Sequence, residues 1–314
     1  MTRMRGTSPD AEYTFKHALV QDAAYATLVR SRRRQLHGQM AVTIEGQFPE
    51  IAETQPEVLA RRCSEADFTA KAVGYWHRAG QQAMARGAMT EAVSPLRKGL
   101  ELLRGMPDDV GRQEQELDLQ IVLGNALIAT NGWSAPEPGD AYARARQLCE
   151  QLNRPALLRP VLLGQWGFHQ VRAELEQAED CAKQILQFGE IRNELMWKCF
   201  GSYVSGYPCF YLGKFADAGA HCKNALSFWD PTYRAFWGSP NDAHVEAMTH
   251  FSRTLLSIGY IEQARLWRDQ AIAFPAEFST GRLSITSSTM PKSLAISAVR
   301  NVSRSTASSI FLSG

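Results

Sequence analysis

Phe200, Tyr203, Tyr207 and Phe210 recur at i, i+3, i+7 and i+10, which places four aromatic rings on one face of a helix. Ring faces and phenol hydroxyls could hold a peptide or a small ligand by stacking and hydrogen bonding. Ser202, Ser205, Gly206 and Cys209 occupy the adjacent face, and all are small, as close helix packing requires. An aromatic stripe also suits packing between helices, and the residues alone leave both readings open.

Other groups that could do chemistry read more plainly. Cys63, Cys149, Cys181, Cys199, Cys209 and Cys222 contain no C-x-x-C pair and no zinc spacing, and they fall beside apolar residues on helical faces. Packing is the expected role for each. His244 and His250 are six apart, off the i, i+4 spacing of a helical metal pair, so a structural or surface role is expected. Arg30, Arg32, Arg33 and Arg34 form a basic run near a helix junction. It reads as a solvated face or an interdomain contact, with DNA contact as the alternative. Asp108-Asp109 follows Pro107 and reads as a turn. Nothing matches G-x-x-x-x-G-K-[ST], and no apolar strand ends in paired acids that would hold magnesium. Catalytic, metal and cofactor-binding residues are therefore expected to be none.

The elements that must position the stripe are helices. Over residues 1–274 apolar residues recur at helical spacing, with Ala, Leu, Gln, Glu and Arg dominant. Short breaks rich in Gly, Pro, Asn or Asp interrupt them at 105–109, 132–139, 153–155, 230–231 and 238–241. Composition changes at residue 275. The last 40 residues hold 15 Ser or Thr, one acid and four bases, without a sustained helical period. They are expected to be a disordered tail, and the abrupt change inside a helix suggests an out-of-frame segment. Net charge is +2 for 314 residues, and the excess sits in that tail, so there is no global footprint for nucleic acid. The start lacks an apolar signal-peptide core and no apolar run reaches the ~18 residues of a spanning helix. A soluble, cytoplasmic setting without membrane partners is expected.

Internal repetition organises the body. ARGAMTEAVSPLRKGL, VRAELEQAEDCAKQIL, YLGKFADAGAHCKNAL and SIGYIEQARLWRDQAI each carry a Gly or Ala turn followed five residues later by Ala: Gly87–Ala92, Ala173–Ala178, Gly213–Ala218 and Gly259–Ala264. Glycine supplies a turn with positive φ, and Ala lets the second helix approach the first. Trp76, Ala79, Gly80 and Ala83 precede the first turn at the spacing W-x-x-L-G-x-x-Y, which resembles the tetratricopeptide (TPR) pattern. A degenerate unit lies between, with a first helix over 117–129 and a turn at Gly132. Successive turns are 45, 41, 40 and 46 residues apart, against ~34 for a standard TPR. By register the aromatic positions correspond to Gly74, His77, Gln81 and Met84 in the first unit and to Glu246, Thr249, Arg253 and Leu256 in the last. Most of those are polar, which turns the stripe toward a groove. Pro208, inside the first helix of its unit, predicts a kink or break near 205–208.

At the N-terminus, Tyr13 and Phe15 predict a short strand entering a helix. A second helix near Ser31 should carry Leu36, Met40 and Ile44 on one stripe, and a third should follow Pro56 with Val58, Leu59 and Cys63. The string FKHALVQDAAY resembles the winged-helix-like end of the ATPase module in bacterial STAND-type signalling proteins; His17 within it suits capping or packing. Residues 11–274, including WKCFGSYVSG and SIGYIEQARL, resemble the C-terminal part of bacterial proteins that join a class III adenylate/guanylate cyclase domain, an AAA-type ATPase and a TPR-like region. The resemblance implies a region that receives a signal and controls ATPase or cyclase output. Its catalytic residues would lie upstream and have no positions here.

The expected fold is thus all-α: a TPR-like α-solenoid of antiparallel helix pairs over 67–274, preceded by a winged-helix-like remnant over 1–66 and followed by the tail over 275–314. The expected function is a non-catalytic interaction or sensory region. Its partner would be a protein or peptide, or the upstream cyclase and ATPase domains, with a small ligand possible and nucleic acid not expected. The rival readings are part of a cyclase or ATPase, and a DNA-binding regulator.

Overall fold

The computed structural model describes residues 2–5, 12–15, 19, 23, 25–233 and 242–274. His17, the break at 238–241 and the tail lie outside the described residues. An antiparallel ribbon pairs β1 (Thr2–Arg5) with β2 (Glu12–Phe15), Thr2 opposite Phe15. Thirteen α-helices among the described residues follow: α1 (Arg30–Gln47), α2 (Pro49–Thr54), α3 (Pro56–Glu65), α4 (Thr69–Ala85), α5 (Met89–Leu103), α6 (Val110–Asn131), α7 (Pro136–Gln151), α8 (Pro155–Val171), α9 (Leu175–Arg192), α10 (Leu195–Tyr211), α11 (Phe215–Phe228), α12 (Ala243–Ser257) and α13 (Ile261–Ala273). The last ten form five TPR-like helix pairs. The chain divides into two compact units, Met1–Gly164 and Gln165–Gly314.

The repeat turns have the backbone that their residues dictate. Gly87 and Gly213 take φ of 77° and 75°, and Ala173 takes φ 58° at the equivalent place, a left-handed conformation without the glycine. The Ala five residues beyond each of these turns is fully buried: Ala92, Ala178 and Ala218 are each 0% exposed. Asp109 caps α6, its carboxylate accepting from the Arg112 amide at 2.8 Å, which satisfies one of the orphan N–H donors of a helix start.

In the first unit, α1 and α3 share a core with α4 through Ala41, Leu59, Ala60, Cys63, Ala72 and Trp76. The inward face of α1 differs from the expected stripe. His37, Gly38 and Ala41 are buried, whereas Met40 is exposed and Leu36 and Ile44 are half-buried. Gly38 accounts for the rotation: a Cβ there would lie 3.1 Å from the ring of Phe68, so the smallest residue sets the contact line. Between α4 and α5, a Cβ on Gly80 would lie 2.5 Å from Leu96, again a close approach made by a missing side chain. The α6–α7 pair buries Leu117, Tyr142, Ala145 and Leu148. The break expected over 132–139 is shorter than its composition suggests, because α7 starts at Pro136. Proline has no N–H to lose in a first turn, so Pro136 and Pro138 begin the helix.

In the second unit, α10 packs against both α9 and α11. Gly201 and Gly189 permit this: a Cβ on Gly201 would lie 2.5 Å from the Leu186 Cα, and one on Gly189 2.5 Å from the Lys198 amide nitrogen. Ala178, Ala182 and Ile185 of α9 and Cys222 and Ala225 of α11 fill the layers on either side.

Of the kink or break expected near 205–208, the break is not present. Helix α10 continues from Leu195 to Tyr211 with Pro208 inside it. Pro208 has no N–H for the Val204 carbonyl, but the Trp166 indole of α8 donates to that oxygen at 2.9 Å. The buried acceptor is satisfied from a neighbouring helix, and the turn closes without it. One turn earlier the Ser205 hydroxyl donates to the Gly201 carbonyl at 2.7 Å.

Candidate functional site

Helix α10 divides the predicted aromatic stripe along its length. Phe200 and Tyr203 are buried, 1% and 3% exposed, while Tyr207 and Phe210 are half-buried. Phe200 packs edge-on against Trp197 and Tyr233. The Tyr203 hydroxyl donates to the Glu246 carboxylate of α12. Its ring and that of Tyr207 lie against Trp166, with centroids 6.1 and 5.6 Å away. Packing between first helices therefore accounts for the N-terminal half of the stripe. The C-terminal half reaches solvent.

The open half meets polar partners from α12. The Tyr207 ring lies 3.6 Å, centroid to centroid, from His250. The Arg253 guanidinium sits 5.0 Å over the Phe210 ring and 5.8 Å from the Tyr211 ring, and it donates to the Tyr211 hydroxyl at 3.4 Å. Glu246 and Arg253, which hold the positions equivalent to Phe200 and Tyr207 in the last unit, contact Tyr203 and Phe210 of the stripe. Thr249 bonds its own helix through the Val245 carbonyl, and Leu256 is exposed. Trp166 was not among the sequence candidates, and His250 was expected there to have a structural or surface role. Trp166 occupies the place seven residues before its turn where Gly80 and Gly206 stand in other units, and that mismatch was the available signal.

Burial sets the protonation of the cluster. His250 is 4% exposed, with Nδ1 lacking a hydrogen-bond partner among the described residues. Desolvation, assisted by the nearby Arg253 charge, pushes its pKa down to about 3, so the ring is neutral at physiological pH. Burial, with the Glu246 charge adding to it, pushes the Tyr203 and Tyr207 phenols well up. The six cysteines are all buried and none is in a disulfide. Burial raises Cys149 to about 11 and Cys199 and Cys222 to about 12, which leaves these thiols without nucleophilic character. No group of three potential metal ligands occurs among the described residues.

The first unit contains a feature the sequence did not announce, a cavity of about 1030 Å³ floored by Leu36, Met40, Trp76 and Leu102. His37 at its edge lies 2.8 Å from the Tyr25 hydroxyl and 3.3 Å from the Arg62 guanidinium. Arginine can only donate, so Nδ1 accepts and Nε2–H donates to Tyr25. Burial and then the Arg62 charge depress the His37 pKa. Lys98 sits 4.8 Å over the Trp76 ring.

The arginine run near this cavity is engaged locally. Arg33 donates to the Leu28 carbonyl at 2.8 Å and lies 4.9 Å over the Tyr25 ring; Arg34 pairs with Asp67, and Arg32 bonds Gln35. Arg30, Arg32 and Arg34 are exposed, and the role expected of the run was a solvated face or an interdomain contact. Among the described residues no helix is long and apolar enough to cross a membrane.

Comparison with known proteins places this geometry in a fold. No family model matches the chain. Among solved structures it is similar to BtubC (BKLC) from P. vanneervenii, with TM-score 0.51 and 11% identity over 84% of this chain and 98% of that one. It is also similar to a signal transduction ATPase with numerous domains (STAND) protein from Pyrococcus horikoshii that carries a tetratricopeptide repeat sensor. There the TM-score is 0.53 at 11% identity, over 76% of this chain and 35% of that one. The fold is an all-α, TPR-like repeat solenoid. In sequence, the chain is 26% identical over 232 residues to an uncharacterised protein of Rhizobium meliloti (strain 1021). That match covers 73% of this chain, and the chain spans about a fifth, 22%, of the relative's length.

Proposed function

We propose that the chain is a non-catalytic TPR-like region that binds a protein or peptide and conveys its presence to the cyclase and AAA-type ATPase domains of a signalling protein. Repeat pairs contact only their neighbours and leave a long row of first helices for a partner. The observation that carries the reading is the half-open aromatic edge of α10, where Tyr207 and Phe210 face polar groups of α12 instead of closing into the core. The likeness to a STAND protein with a TPR sensor supports the signalling context, and so does the greater length of the Rhizobium meliloti relative. In this reading residues 1–66 are the remnant of an ATPase module and 67–274 the sensory repeats, in a cytoplasmic protein.

A small ligand is the second reading, favoured by the cavity beside Trp76 and His37. The test is binding of a displayed peptide library to the purified full chain and to a Tyr207→Ala/Phe210→Ala variant. Selective enrichment by the wild type, lost in a variant of unchanged helicity, is the expected result. Equal enrichment by both proteins, or turnover of ATP or GTP by the purified chain, would count against it.

A further inference from the structure

The cavity of the first unit combines an apolar floor with one placed hydroxyl. The polar groups that meet the floor are spent within the fold. The Trp76 indole donates to the Ser64 hydroxyl at 3.2 Å, and that hydroxyl donates to the Ala60 carbonyl at 2.7 Å. His37 is 5% exposed and uses both ring nitrogens, Nδ1 accepting from Arg62 and Nε2–H donating to the Tyr25 oxygen. Tyr25 is the exception. Its oxygen accepts from His37, so its own O–H remains to be given, and it meets no acceptor among the described residues. The ring is fixed from two sides: His37 meets it at 5.9 Å between centroids and the Arg33 guanidinium lies 4.9 Å over it. A donor already held at the edge of a cavity costs a ligand little further ordering.

The charges around the opening select neither sign. Arg61, Arg62 and Lys98 line it together with Glu65 and Glu101, and all but Arg62 are exposed. Arg62 and Glu65 act in opposite directions on the same His37. Lys98 is already placed over the Trp76 ring. An ionic head would therefore lose hydration without a matched partner. At about 1030 Å³, the cavity stands at the top of the range of about 300–1000 Å³ for small-molecule sites. A sugar or a nucleotide needs many more donors and acceptors than this floor offers.

We propose that this cavity binds an uncharged, largely apolar small molecule that presents a hydrogen-bond acceptor, such as a carbonyl oxygen, to the Tyr25 hydroxyl. This rests on the second reading above, in which the first unit takes a small ligand. The apolar body lies on Leu36, Met40, Trp76 and Leu102 and removes their surface from water. The Tyr25 O–H fixes its orientation, one placed polar group in an apolar lining.

The test uses the full chain and two fluorescent probes: Nile red, an uncharged planar dye with a ring carbonyl, and N-phenyl-1-naphthylamine, an apolar dye without one. Saturable binding of both is expected. Met40 is 43% exposed, so Met40→Arg should fold, which circular dichroism verifies, and it should weaken both dyes about tenfold or more. Tyr25→Phe should weaken Nile red about two- to tenfold, the range of one hydrogen bond, and leave N-phenyl-1-naphthylamine unchanged. Among ten-carbon competitors below their micelle concentrations, decanamide should displace Nile red better than decanoate or decyltrimethylammonium. Better displacement by either ion would overturn the uncharged assignment and leave the cavity as a small-molecule site. Tyr25→Phe acting on neither dye, or on both equally, would overturn the role of the hydroxyl in the same way. No saturable binding to the wild type, or binding untouched by Met40→Arg, would overturn the small-ligand reading together with the proposal.

Discussion

Replacing Trp166 by Phe removes one donor from one buried acceptor, and the consequence depends on a residue four positions beyond that acceptor. In the native chain the Val204 carbonyl is deprived of its helical partner by Pro208 and takes the Trp166 indole N–H instead, at 2.9 Å. Val204 is 0% exposed, so water cannot substitute without opening the packing. A buried acceptor left unpaired costs about 1–3 kcal/mol. The smaller ring adds a cavity cost of about 1 kcal/mol, for a total of about 2–4 kcal/mol. In a Pro208→Ala background the same substitution leaves the Val204 carbonyl bonded to the amide N–H that alanine restores at position 208. Only the cavity cost should remain, about 1 kcal/mol. The two substitutions should therefore couple by about 1–3 kcal/mol in a double-mutant cycle, measured by urea unfolding followed through the helical circular dichroism signal. Coupling within ~0.5 kcal/mol of zero would place the two residues in independent roles and refute the compensation.

Acid should unfold the second unit through His250. Its pKa is near 6.5 when unfolded and about 3 in the fold, so above about pH 6.5 both states are neutral and it contributes no pH dependence. Below that, the unfolded chain takes up a proton that the fold refuses, and stability falls by ~1.4 kcal/mol per pH unit until pH nears 3. His250→Leu should flatten the loss between pH 6 and 4 on urea titration, and an unchanged slope would remove His250 from the account. Gly201→Ala pushes a Cβ to within 2.5 Å of the Leu186 Cα and should cost ~1–3 kcal/mol or more. Gly87→Ala meets nothing within 4 Å but sits at φ 77°, so about 1–2 kcal/mol of backbone strain is expected; reversal of that order in melting experiments would contradict the close α9–α10 approach. Tyr203→Ala should destabilise by ~3–5 kcal/mol, as a buried aromatic does, whereas Tyr207→Ala should cost less than half as much and act mainly on partner binding. Equal losses of stability would make the whole stripe core.

Much of the fold was legible because repeat physics is local. A Gly or Ala turn, a small residue five positions on and helical periodicity are each readable within about fifteen residues, and Gly87–Ala92 and Gly213–Ala218 behave as that spacing requires. Errors arose where the deciding contact came from elsewhere in the chain. Pro208 taken alone predicts a break, and the Trp166 donor that cancels it is 42 residues away. The buried face of α1 follows Phe68, which reaches Gly38 from beyond α3. The stripe was found by its spacing, and register named Glu246 and Arg253 as its counterparts. Its division into buried Phe200 and Tyr203 and half-open Tyr207 and Phe210 depends on how far α8 and α12 extend over it, which no local pattern encodes.

Site-specific photo-cross-linking in the producing cell tests most directly whether the open edge of α10 receives a partner. A benzophenone amino acid would replace Phe210, and in a parallel strain Lys183, which is exposed on α9. The account predicts a discrete protein adduct, or a cross-link to an upstream cyclase or ATPase domain of the same polypeptide, from position 210 and none from position 183. No adduct from 210, or the same adducts from both positions, would contradict it.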